Sequence, residues 1–264
     1  MKYRFEEFTW PEIREAVAQN RVAVLPIGTV EQHGPHLPLV TDVLTAGEMS
    51  RLAVERIPSE AILMPPVYYS FNEHHMDFPG TISVNGETVI RYVTDIGCSL
   101  ARHGFRKILL VNGHGSNVPF LDIAARNITL QSDAICAMAS WWSLIPKPLF
   151  DELRESEYPG GMAHGCELET SVLLYLRPDL VQFEKAERDI TFTPSEHFYW
   201  DLQAPSPIFF QEWFSRYSRT GTVGDPTKAT RDKGEKFVNA VAERMVRLIQ
   251  EFRAREIAAR VDHH

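Results

Sequence analysis

The chain has little cysteine, with only Cys98, Cys136 and Cys166 in 264 residues. An odd count without CxxC spacing argues against both a disulfide framework and a zinc ribbon. No stretch approaches the roughly 20 unbroken apolar residues that a membrane-spanning helix needs. Concentrated positive charge is missing too: 27 Lys and Arg stand against 35 Asp and Glu, a net charge of −8. The densest basic run, residues 244–260, is interrupted by Glu251, Glu256 and several apolar residues. A phosphate backbone needs a concentrated cationic footprint, so nucleic acid is not an expected partner, and neither is a membrane. The 15 Gly and 17 Pro are too few and too scattered for collagen, a low-complexity linker or a disordered tail. Residues 1–7 turn acidic at once and lack the apolar centre of a secretory signal, so a soluble, cytoplasmic protein is expected.

What remains is an ordinary globular composition, 44% hydrophobic and 23% charged. Apolar strands and amphipathic helices alternate along it. Strands are expected at residues 22–28, 61–65, 107–112 and 134–139. Between and after them, helices are expected at 9–19, 42–56, 85–103, 118–131, 168–176 and 233–258. Alternation of this kind predicts an α/β fold, a mostly parallel β-sheet flanked by helices. No repeat or composition break marks a linker, so residues 1–264 read as one domain. Residues 146–161 and 184–232 are irregular. The second stretch holds Phe192, Phe198, Tyr199, Trp200, Phe209, Phe210, Trp213 and Phe214 among prolines, as a packed excursion, an interface or a lid.

Open α/β sheets bind ligands where loops leave the carboxyl ends of the strands, so the informative polar residues are those just after predicted strands. The loop after residue 28 offers Glu31, His33 and Asp42, hard oxygens with imidazole, a mixture suited to zinc, manganese or iron(II). In an extended segment Glu31 and His33 point to the same side. Asp42 stands at the next helix start, where it would either cap the helix or close on the same point. After the strongest strand comes Asn112-Gly113-His114-Gly115-Ser116-Asn117, with His114 held between glycines at a strand tip. Ser116 could act as a nucleophile, but no GxSxG elbow surrounds it. A third cluster, His164-Gly165-Cys166-Glu167-Leu168-Glu169, opens a helix. Side chains two apart on a helix diverge by about 200°, so at most one of Glu167 and Glu169 should face a shared site. His164 is placed to act as an acid or base. In Glu73-His74-His75, the second histidine is the one more readily held over a pocket. Taken together these donors suffice for two divalent ions, which would lower the pKa of a water and polarise a carbonyl.

These motifs resemble the creatininase (creatinine amidohydrolase) family. The matching residues run from Gly28 to Pro38, then Asp42, Phe78 to Ser83, Asn112 to Asn117 and His164 to Ser171. The resemblance implies a single α/β domain, a homohexamer, and a centre of two divalent ions of zinc, manganese or iron. It implies that Glu31 and His114 bind one ion, His33 the other, and that Asp42 bridges. His164 would protonate the leaving nitrogen, with Glu167 beside it in the catalytic set. In creatinine-hydrolysing members a glutamate sits where Ser116 stands here, so Glu169 is the expected remaining ligand and Glu167 its substitute. Members acting on creatinine carry Tyr at the place of Gly115 and a lid Trp at the place of Gly160. His75, Gly115, Ser116 and Trp142 are the expected substrate contacts. The implied substrate is a small or cyclic amide, with formamides and formamidopyrimidines as alternatives within the family. A non-catalytic α/β scaffold and a serine hydrolase built on Ser116 are the competing classes.

Overall fold

The computed structural model describes residues 1–204 and 206–264. Its first half alternates helix and strand: α1 (Trp10–Ala18), β1 (Val22–Ile27), α2 (Thr41–Arg56) and β2 (Ala61–Leu63), then α3 (Gly86–Arg102), β3 (Lys107–Asn112), α4 (Val118–Gln131) and β4 (Ile135–Ser140). The four strands pair in parallel in the order β2-β1-β3-β4, Val24 opposite Leu63 and Leu109. Every residue of β1 and β3 is buried, because helices cover both faces of the sheet.

Alternation along the strands divides the core in two. Val22, Val24, Leu109 and Val111 face one way, onto Met49 and Ala53 of α2. The same core takes in Leu168 and Val172 of α6 (Glu167–Leu176) and Phe237, Val241 and Met245 of α7 (Arg231–Ala254). Ala23, Leu25, Ile27, Ile108 and Leu110 face the other way, onto Val89, Val93 and Leu100 of α3 and Leu121 and Ile128 of α4. Among the described residues no helix is long and apolar enough to cross a membrane.

The stretches expected to be irregular contain more order than their pattern indicates. Residues 146–161 hold α5 (Lys147–Leu153), and β5 (Met162–His164) pairs antiparallel with β6 (Val223–Gly224). Strands of three and two residues are too short to carry a readable period; their pairing is a product of tertiary packing. The aromatic stretch forms a third small core of Phe192, Phe214 and Val223, with Phe78, Trp200 and Tyr217 against it. Phe214 turns inward, only 1% exposed, whereas Phe209 is 78% exposed.

Candidate metal centre

Strand order reverses between β1 and β3, which opens a crevice at their carboxyl ends. Glu31 and His33 leave β1 there, and His114 follows β3. The first turn of α2 supplies Asp42, the first turn of α6 supplies Glu169, and β5 ends at His164. Two glycines allow α2 to come this close. A Cβ on Gly28 would lie 2.4 Å from the Val43 nitrogen, and one on Gly113 would lie 2.3 Å from the Asp42 carbonyl oxygen. Asp42 does not cap its helix; its carboxylate turns into the crevice.

The donors converge. Asp42 Oδ1 lies 3.0 Å from His33 Nε2, and Asp42 Oδ2 lies 3.1 Å from His114 Nδ1. Glu31 Oε1 is 3.2 Å from His114 Nδ1, 3.7 Å from His164 Nδ1 and 3.8 Å from His33 Nε2. Glu169 Oε1 is 3.9 Å from His33 Nε2. Three donor groups have all their ligand atoms within 4.8 Å of one another: Glu31 with Asp42 and His114, His33 with Asp42 and Glu169, and Glu31 with His33 and His164. Both Glu31 oxygens, Asp42 Oδ2, His33 Nε2 and His114 Nε2 are buried with no aligned hydrogen-bond partner. Native interiors rarely leave so many polar atoms unpaired in one place. Close approach without hydrogen-bond alignment fits donors aimed at shared cations, so the residues present suit the divalent metals that the donor chemistry implies.

The electrostatics agree. Burial opposes charge on His33 and His114, but the Asp42 and Glu31 carboxylates outweigh it and lift the two imidazoles to about 9 and about 10. Burial raises Glu31 and Glu169 above the usual carboxylate range, and the neighbouring Asp42 charge adds to it. Burial resists charge on Asp42 as well, yet His33 and His114 pull it well below that range. Protons on two imidazoles thus stand where cations would neutralise the acids. His164 behaves differently: burial and the nearby His33 push it well below the ordinary imidazole value, so it is neutral near pH 7.

Other expected site residues are distributed around this cluster. His75 is buried, its Nε2 3.9 Å from Glu31 Oε2. Ser116 lies 3.0 Å from His74 Nε2, and burial pushes His74 down to about 3. Gly115 is exposed, and a Cβ there would meet no atom within 4 Å. Two residues fall elsewhere. Glu167, grouped above with His164, is taken up by Lys233 Nζ at 2.6 Å and by the Ser156 N–H at 2.8 Å, so no oxygen is left over for the cluster. Trp142 packs against the core edge-on to Trp141 rather than against the carboxylates. Sequence reasoning passed over Gln32 and Phe214, which touch His75 and His164. Strand-like alternation turns residue 32 away from its neighbours' side, and Phe214 had no signal beyond belonging to an aromatic stretch.

Fold and site together define an α/β metal-dependent hydrolase. The family described as creatinine amidohydrolase, Creatininase, matches residues 6–249. The chain belongs to the creatininase family. It is 32% identical over 265 residues to the creatinine amidohydrolase of Pseudomonas putida, covering 93% of this chain and 95% of that one. It is 30% identical over 240 residues to a mycofactocin precursor peptide peptidase of Mycobacterium tuberculosis, covering 86% and 83%. A solved manganese creatininase superposes with a TM-score of 0.79 at 31% identity, covering 95% of this chain and 98% of that one.

Proposed function

We propose that this chain is an amidohydrolase of small or cyclic non-peptide amides, working with two divalent ions. Glu31, Asp42 and His114 would hold one, and His33, Asp42 and Glu169 the other, with Asp42 shared. Bound there, the ions would polarise the substrate carbonyl and bring the pKa of a water towards neutrality. The protein's own groups do the rest. Asp42 reaches both imidazoles with its two oxygens and so ties the halves of the centre together. His164, with Nδ1 3.7 Å from Glu31, takes at Nδ1 the proton released by the attacking water and passes it to the departing nitrogen as the C–N bond breaks. Phe214 lies against the His164 and His75 rings and keeps water off them.

The observation carrying this reading is the convergence of five buried donors, among which Glu31, His33 and Asp42 leave ligand atoms without a hydrogen-bond partner. Gly115 stands where creatinine-acting relatives carry Tyr, which supports a small or cyclic amide other than creatinine, such as a formamidopyrimidine. A homohexamer in the cytoplasm is part of the same proposal, and light scattering on the purified protein reads the assembly. Elemental analysis after zinc or manganese supplementation tests the centre. The expected result is two ions per chain in wild type and fewer in His114→Ala; a wild type without transition metal overturns the scheme. Turnover across creatinine, formamidopyrimidines and other cyclic amides, abolished by chelation, tests the substrate class.

A further inference from the structure

Gln32 lies between two proposed ligands, is 6% exposed and holds both histidines that the metal scheme leaves free. Its side-chain orientation is determined by chemistry. The Gly34 N–H donates to Gln32 Oε1 at 2.9 Å, and a backbone N–H can only donate, so that atom is the carbonyl oxygen. The amide nitrogen therefore faces His75 Nδ1, at 2.9 Å. It carries only hydrogens, so His75 Nδ1 must accept, and the single proton of that ring sits on Nε2. Nε2 is the atom that looks towards Glu31 Oε2. The backbone of the same residue acts on the other ring. Gln32 O lies 2.7 Å from His164 Nε2 and can only accept, so His164 Nε2 carries a hydrogen; the Gln32 amide nitrogen, 3.3 Å from the same atom, is a donor too and makes the weaker, unbonded approach. His164 is left to exchange protons with the site through Nδ1 alone. Phe214 closes the opposite side of both rings, stacked on His75 at 4.0 Å and edge-on to His164 at 4.7 Å.

We infer that Gln32 is the positioning residue of this site, presenting His75 Nε2–H as a hydrogen-bond donor and His164 Nδ1 as the proton-exchanging atom. The two histidines thereby take complementary roles: one donates to a substrate oxygen and the other trades a proton with a nitrogen. The inference deepens the amidohydrolase reading and rests on it.

The test is the tautomeric state of each ring in zinc-loaded, 15N-histidine-labelled full-length protein, read from long-range proton–nitrogen correlations. Signals are assigned by their loss in His75→Gln and His164→Asn. In wild type, His75 is expected with a bare Nδ1 and a protonated Nε2, and His164 with a protonated Nε2. Gln32→Glu keeps the acceptor for the Gly34 N–H but removes the donor to His75; Gln32→Met removes both. In each variant the bare Nδ1 signal of His75 should be lost, while the His164 signature persists because its partner is a backbone carbonyl. Zinc content, measured on the same samples, separates the two levels of the argument. Zinc bound in wild type, with His75 protonated on Nδ1 or unchanged in both variants, overturns the role of Gln32 and leaves the metal site standing. Absence of zinc from wild type overturns the metal scheme, and the inference with it.

Discussion

Glu167 and Glu169 are the same residue type, two positions apart on one helical turn, and both are buried. Their surroundings are opposite. Glu167 is enclosed by partners: the Lys233 ammonium at 2.6 Å, the Glu155 N–H at 3.1 Å and the Ser156 N–H at 2.8 Å. Glu169 takes the Gly165 N–H at 2.7 Å and the Cys166 S–H at 3.7 Å on one oxygen, and turns its other oxygen towards His33 in a crowd of acids. A buried carboxylate whose protein partners are complete is an anchor, here tying α6 to α7 and to the loop before β5. One whose partners are incomplete is waiting for something the chain does not supply. The proposed metal centre is built from the second kind, and the helix that carries Glu169 is secured by the first.

The strongest way to break this contrast is to strip the anchor. Lys233→Met leaves the Glu167 carboxylate buried without its cation, which costs about 3–5 kcal/mol of folding stability. Denaturant unfolding should register that loss with and without metal, while ions bound per folded chain stay at the wild-type value. Adding Glu167→Met should recover much of it, because an apolar pair of similar volume avoids the desolvation cost. If Lys233→Met instead sheds metal at unchanged stability, the division between anchor and ligand is wrong.

Next in size is the shared acid. Asp42→Asn removes the charge that lies within 3.1 Å of both His33 and His114, closer to the pair than Glu31 comes. Metal affinity should fall by more than about 100-fold, the upper end of what losing a mere outer partner costs. Competitive titration with a chromophoric chelator measures it.

Much of this site was legible beforehand because its chemistry sits in short motifs bounded by glycines at strand tips. Glu31, His33, Asp42 and His114 needed only strand positions and ligand chemistry to be grouped. Choosing between Glu167 and Glu169 was harder. Helical geometry excludes both from facing one point, but which is excluded depends on Lys233, 66 residues further on. Gln32 was hidden for a related reason: its function lies in hydrogen bonds to residues 43 and 132 positions away. The β5–β6 pair was invisible because two or three residues cannot show a period.

Acidity should separate the two regions more gently. In metal-free protein His33 and His114 titrate near 9 and 10, above the roughly 6.5 of an unfolded imidazole. A raised pKa contributes stability that is complete below about pH 6.5 and is lost as pH climbs through 9 and 10. The metal-free protein should therefore weaken between pH 7 and 10. Metal needs those imidazoles bare, so apparent affinity should rise over the same window, about tenfold per pH unit for each proton displaced. Chemical unfolding and metal titration across a pH series check both slopes; a flat affinity profile would remove the histidines from the ligand set.

The finest expected effect has an unusual sign. Burial and the Asp42 charge raise Glu169, so its ionised form is disfavoured in the metal-free protein. Glu169→Gln retains an oxygen for the Gly165 N–H and removes one of the crowded negative charges. Metal-free stability should then rise by about 0.5–2 kcal/mol, a gain typical of relieving a functional constraint, while metal loading and turnover fall. Glu167→Gln, made alongside, should do the reverse: it weakens the contact with Lys233 and lowers stability without touching the ions. Opposite signs from one chemical change, made two residues apart, would separate a ligand from an anchor more cleanly than either measurement alone.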